Sequence, residues 1–106
     1  MKKVKITVLK KTLLKDLINE YATGDIKPCE VFTEGQEFII DPFKPPEGFC
    51  PWAWNDIYKT VIAQTVEGTM YSGWMKDEKT SIACCSDGFR PVIFKIERLD
   101  EPTIYG

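Results

Sequence analysis

The sequence predicts an α+β fold: a single compact domain spanning residues 1–106, with a small mixed or antiparallel sheet of about four strands and two helices packed on it. Three observations carry this. With 106 residues the chain has the length of one domain, which commonly runs about 50–250 residues. Apolar alternation with a period of two marks strands near both ends of the chain, and apolar spacing of three and four marks helices between them. The order strand, helix, strand, helix, strand, strand offers neither six strands nor a helical bundle, so a small sheet bearing two helices is the economical solution.

The elements follow in order. Residues 3–9 alternate Val4, Ile6 and Val8 with Lys3, Lys5 and Thr7, as a strand with one buried face does. Thr12 is placed to cap a helix in which Leu13, Leu14, Leu17, Ile18 and Tyr21 form one stripe. Asp16 suits the positive end of that helix and Gly24 its stop; the stripe reads as core packing. Residues 25–35 read as an irregular connection turning at Glu34-Gly35, and residues 36–41 as a short strand. Residues 41–49 gather Pro42, Pro45, Pro46 and Gly48. Such a run fixes the path of a loop and cannot occupy a central strand; it is either the wall of a site or a plain connection. Residues 51–66 give the clearest helix. Pro51 fits the first helical position, where its missing N–H costs nothing. Trp54, Ile57, Tyr58, Val61, Ile62 and Thr65 share a face, and Gly68 closes the helix. Residues 67–79 carry Trp74, Met75 and Lys76 in a loop that is either a lid over a pocket or the cover of a core edge. Residues 80–86 and 91–99 are two strands joined through the turn DGFR, a β-hairpin. Glu101-Pro102 begins a tail.

Composition excludes more than it selects. Fourteen basic and sixteen acidic residues give a net charge of -2, which exerts no global pull toward nucleic acid or anionic lipid. Lys2, Lys3, Lys5, Lys10, Lys11 and Lys15 lack interleaved aromatics, and solvated strand and helix faces explain them more simply than phosphate contacts. The chain has no histidine, which removes an imidazole base, a His-ligated zinc and a haem His. No glycine-rich phosphate loop follows a strand, and the acidic residues are scattered rather than paired. No apolar run approaches the roughly 20 residues of a membrane span, and the start MKKVKITVLKK lacks the apolar segment of a signal peptide. The expectation is a cytoplasmic protein with neither membrane nor nucleic-acid partners, whose thiols are normally reduced.

What remains is a set of four cysteines, Cys29, Cys50, Cys84 and Cys85, with no C-x-x-C motif of the thioredoxin or zinc-knuckle kind. Cys50 precedes Pro51 and falls at the N-cap of the strong helix. The free N–H groups and dipole of a helix start favour a thiolate, and Phe49, Trp52 and Trp54 would wall it in. On that reading Cys50 is a nucleophile or ligand; on the other it is a small apolar residue filling space under a loop. Cys29 follows Pro28 in a loop, and loops on a rigid scaffold often carry function. Cys84 and Cys85 adjoin on a strand, where successive side chains point to opposite faces. Only one of them joins the others, and Cys85, nearer the turn, is favoured. Thiolates at Cys29, Cys50 and Cys85 would hold a soft metal or an iron–sulfur cluster with an open iron; a four-cysteine zinc site would need the strand to break at Cys84-Cys85. Asp87 reads as a turn hydrogen-bonder and Arg90 as the partner of a carboxylate or carbonyl. The sharper alternative makes Arg90, with Trp52 and Asp87, the holder of an anionic ligand beside the thiols. Glu97 and Arg98 read as a solvated or cross-strand pair.

The segments PEGFCPWAWNDIY, GW and CCSDGFRPVIFKIERL resemble a family of small cysteine-containing proteins found in anaerobic bacteria and archaea. In that family one cysteine precedes a GQEF-like strand start, matching Cys29. A second precedes an aromatic helix, matching Cys50-Pro51. A third stands in a C-x-D-G-x-R-P-V-x-F-x-I-E-R motif, matching Cys85, Asp87, Gly88, Arg90 and Pro91. The resemblance spans about residues 2–99 and implies that Cys84 is the dispensable member; it implies no activity.

The functional expectation is a cysteine-site protein in which Cys29, Cys50 and Cys85 converge, binding a soft metal or cluster or acting as redox thiols, with Arg90 and Trp52 nearby. The alternative is a non-catalytic ligand- or protein-binding module, a homo-oligomer among its forms. There the cysteines are core residues and Trp74 with the aromatic loop forms the surface. A third reading, an enzyme with Cys50 as nucleophile, has only Asp56 and Asp87 as candidate bases.

Overall fold

The computed structural model describes residues 1–41 and 43–106, so Pro42 of the proline-rich loop lies outside the described residues. In chain order the elements are β1 (Lys2–Lys11), α1 (Lys15–Tyr21), β2 (Glu37–Ile40), α2 (Pro51–Thr65), β3 (Thr80–Cys84) and β4 (Val92–Pro102). The four strands form one antiparallel sheet in the order β2-β1-β4-β3. This is the expected α+β domain, with the sheet settled as antiparallel.

The alternation in β1 sets the inner face of the sheet. Val4, Ile6 and Val8 have no exposed surface, and neither do Phe94 and Ile96 of β4, which stand opposite Val8 and Ile6. Each such side chain contributes about 1.5–3 kcal/mol by leaving water. The outer face is charged. The Lys5 ammonium lies 3.6 Å from Glu97 and 3.4 Å from Glu37, and Lys3 lies 2.9 Å from Glu101. Attraction to Glu97, then the hydrogen bond to Glu37, raises the pKa of Lys5 above its ordinary value. Glu97 thus pairs across strands with Lys5, while Arg98, one residue on, turns to the other face and reaches Gln64.

Helix α2 covers the inner face, buried through Ala53, Ile57, Thr60, Val61, Gln64 and Thr65. The expected face is therefore rotated: Trp54, Tyr58 and Ile62 are only half-buried. The small Ala53 faces the core, and Gln64 turns inward because it finds polar partners there. Nor does Gly68 close the helix in a left-handed conformation. Glu67 takes that role with φ 63°; the Glu67 N–H donates to the Gln64 carbonyl (3.0 Å) and the Gly68 N–H to that of Ala63 (2.8 Å). That is the paired hydrogen-bond pattern of a Schellman stop.

Three further expectations are corrected. The leucine stripe of α1 is not core: only Ile18 is buried, while Leu14 is 36%, Leu17 38% and Tyr21 71% exposed. The helix has 7 residues and, among the described residues, packs closely against no strand. Thr12 does not cap it; the Thr12 hydroxyl donates to the Pro91 carbonyl (2.6 Å), and Leu14 occupies the N-cap. The segment Glu101-Pro102 is not a tail but the end of β4, where Pro102 stands opposite Lys2 and the Thr103 N–H donates to Met1 (3.0 Å).

An aromatic cluster anchors both long loops to the sheet. Phe32, from the loop after α1, lies 4.9 Å from Phe49 and 5.2 Å from Phe94, ring to ring. Phe49 ends the proline-rich loop in a turn closed by its N–H on the Pro46 carbonyl (3.1 Å). Gly48 at the third position of that turn has φ 77°, which glycine adopts without strain. Phe32 follows Cys29 by three residues and Phe49 directly precedes Cys50, so the cluster that fills the core also positions two thiols.

Candidate functional site

The six residues singled out from the sequence, Cys29, Cys50, Trp52, Cys85, Asp87 and Arg90, all line one cavity of ≈ 90 Å³, closed on its inner side by Phe32, Ala53 and Val92. Each reaches it by a different route. Cys29 comes from the loop anchored by Phe32. Cys50 is the N-cap of α2 in an extended conformation with no side-chain cap bond; its carbonyl accepts the first helical N–H, from Trp54 (2.9 Å). Cys85 follows the last residue of β3. Its N–H donates to the Val92 carbonyl (3.1 Å), and its sulfur accepts the Val92 N–H (3.3 Å). Cys29 and Cys50 are half-buried and Cys85 is buried.

The turn between β3 and β4 is held from within and from three neighbours. Within it, one Asp87 carboxylate oxygen accepts the N–H groups of Phe89 (2.9 Å) and Arg90 (3.2 Å). The other accepts Arg90 Nε (3.2 Å). Burial pushes the Asp87 carboxyl up, but the Phe89 N–H, the Arg90 guanidinium and the Arg90 N–H together outweigh it, and its pKa lies below the ordinary value. From outside, Arg90 donates to the Lys27 carbonyl (3.0 Å), tying the turn to the loop that carries Cys29. The Leu14 N–H donates to the Phe89 carbonyl (2.8 Å), which brings in the start of α1. Helix α2 grips Ser86 twice: the Trp52 indole N–H donates to its hydroxyl (2.6 Å) and its own N–H donates to the Asp56 carboxylate (2.7 Å).

Ser86 was not singled out by the sequence reading. The available signal is the spacing of Trp52 and Asp56, one helical turn apart and so on one face of α2. Asp56, a candidate base in the enzyme reading, is committed to the Ser86 N–H. Asp87 is committed to its own turn and to Arg90. Cys84 is exposed and does not line the thiol cavity; it faces another open groove with Lys59 and Tyr71, which Cys85 also borders. Trp74 is 82% exposed, its ring lies tilted at 5.9 Å from that of Tyr71, and it lines none of these spaces.

A second, open groove of ≈ 510 Å³ adjoins the thiol cavity, sharing Trp52, Asp87 and Arg90 with it and adding Asp25, Lys27 and Glu30. Among the described residues no group of three or more Cys, Asp or Glu is arranged to hold a metal ion, so the expected three-thiolate centre for a soft metal, zinc or an iron–sulfur cluster gains no coordination set here. No helix among the described residues is long and apolar enough to cross a membrane. Compared with family models, curated proteins and solved structures, the chain matches none.

Proposed function

We propose that this protein works through its thiols, with Cys29 and Cys50 as a redox pair and Cys85 as the buried third thiol beside them. The observation that carries this is that three of the four cysteines, distant in sequence, line one cavity while the fourth is exposed outside it. The resemblance to the family of anaerobes, in which these same three positions are cysteine, supports the same assignment. Redox chemistry is preferred to a metal or iron–sulfur centre because a disulfide needs only two sulfurs at one place, whereas a metal needs a coordination set. Thiol exchange also needs access. Cys29 and Cys50 have it; Cys85 is buried with its sulfur on the Val92 N–H.

In the proposed step Cys29 and Cys50 each give up a hydrogen, the S–S bond forms, and two electrons and two protons pass to the oxidant. The test uses diamide, which takes up both hydrogens to become a hydrazine, followed by peptide mapping without reductant. The expected product is a Cys29–Cys50 disulfide with Cys84 left as a thiol, absent from Cys50→Ser. Oxidation through Cys84, or none, would overturn the assignment. Stoichiometric metal in anaerobically purified protein, lost in Cys50→Ala, would reassign the site to a ligand centre.

A second reading is favoured by a different observation: Leu14, Leu17 and Tyr21 of α1 and Trp74 are exposed, as on a binding module with structural cysteines. Unreactive thiols and an unchanged fold in the four-cysteine-to-serine variant would favour it.

A further inference from the structure

We propose that the oxidant of this pair is a small zwitterionic disulfide of the amino-acid type, held in the open groove beside the thiol cavity. This rests on the redox-thiol reading and adds its substrate class. The groove and the cavity share Trp52, Asp87 and Arg90, so one ligand can place a sulfur at the thiols and its body in the groove. The groove carries charge of both signs. Asp87 and Arg90 are satisfied by each other at 3.2 Å. Asp25, Glu30 and Lys27 have no ion-pair partner among the described residues. A carboxylate-only ligand would meet Asp25 and Glu30, and an ammonium-only ligand would meet Lys27 beside Arg90. A zwitterion matches both signs, its ammonium on Asp25 and Glu30 and its carboxylate on Lys27. Trp52 and Phe89 supply apolar walls for the short stem between charge and sulfur.

The chemistry balances without another reagent. One thiol of the pair attacks a sulfur of the bound disulfide; that S–S bond breaks, and the first small thiol leaves with the proton given up by the attacking cysteine. The second cysteine attacks the resulting mixed disulfide, the protein S–S bond forms, and the second small thiol leaves with the second proton. One small disulfide and two protein thiols become two small thiols and one protein disulfide.

The experiment compares oxidation of the reduced, full-length protein by cystine and by the uncharged bis(2-hydroxyethyl) disulfide, each rate normalised to that of N-acetylcysteine with the same reagent. It uses wild type, Lys27→Ala and the double variant Asp25→Asn/Glu30→Gln. Expected is a preference for cystine in wild type that falls roughly tenfold in the charge variants, with the uncharged reagent unaffected. Equal normalised rates in wild type, or variants that slow both reagents alike, would overturn the proposal while diamide still closes Cys29–Cys50. Failure of diamide as well would mark the redox reading itself as wrong. Mixed-disulfide trapping on Cys29→Ser and Cys50→Ser identifies the attacking thiol; trapping on neither also overturns the proposal.

Discussion

The two ends of α2 handle buried chemistry in opposite ways. At the C-terminal end Gln64 is fully buried and fully engaged: its amide donates to Ser81 Oγ (2.8 Å) and the Glu78 carbonyl (3.2 Å) and accepts from Arg98 (3.4 Å). Beside it the Thr65 hydroxyl donates to the Lys2 carbonyl. At the N-terminal end the sulfurs of Cys29 and Cys50 make no hydrogen bond among the described residues, border a cavity and are half open to solvent. A buried polar group with every partner in place stabilises and specifies a fold; thiols that border a space have room for a reaction partner. The closed end holds the fold through satisfied polar groups, and the open end is where the proposed thiol chemistry is placed.

The largest expected effect tests the closed end. Gln64→Ala removes packing and leaves Ser81, Glu78 and Arg98 without a partner, so urea denaturation should show a loss of about 2–4 kcal/mol. Cys50→Ala at the open end should cost only about 1 kcal/mol; a loss as large as that of Gln64→Ala would make Cys50 a core residue and erase the contrast. Next comes the strap between the helix and the turn. Asp56→Ala frees the Ser86 N–H and should cost about 1 kcal/mol while speeding alkylation of Cys85, measured by mass spectrometry.

The site turn also has a pH signature. Asp87 is held below its ordinary pKa of 3.8, so the unfolded chain takes up this proton before the folded one does. The stabilisation is therefore fully present above that ordinary value and is lost as pH falls from it through the lowered folded value. Asp87→Asn should flatten the acid-side decline of stability in that window; an unchanged decline would show the turn contributes nothing there. The smallest effect returns to the closed end. Glu67 sits in the left-handed region that side chains resist, so Glu67→Gly should stabilise by about 1 kcal/mol.

Much of this was legible in the sequence, for identifiable reasons. Val4, Ile6 and Val8 alternate because one face of β1 is buried, and the period survives in the letters. Cys84, the last residue of β3, is exposed and Cys85 is buried, the opposite facing that strand alternation predicts for neighbours. The rotation of α2 was not legible: Trp54 and Tyr58 outweigh Ala53 and Gln64 on any hydrophobic count, and only the presence of Ser81 and Arg98 on neighbouring strands makes a glutamine an inward residue. The stripe of α1 misled because apolar spacing shows which residues share a face, not whether anything covers it. Ser86 was missed because its partners lie on α2, far away in sequence.

The most direct test of the convergence of thiols is crosslinking with dibromobimane, which fluoresces when both of its arms have reacted with neighbouring thiols. The account predicts rapid fluorescence in the wild type, mapping to Cys29 and Cys50, unchanged in Cys84→Ser and lost in Cys50→Ser. A bridge that needs Cys84, or single-arm labelling of each cysteine without fluorescence, would contradict it.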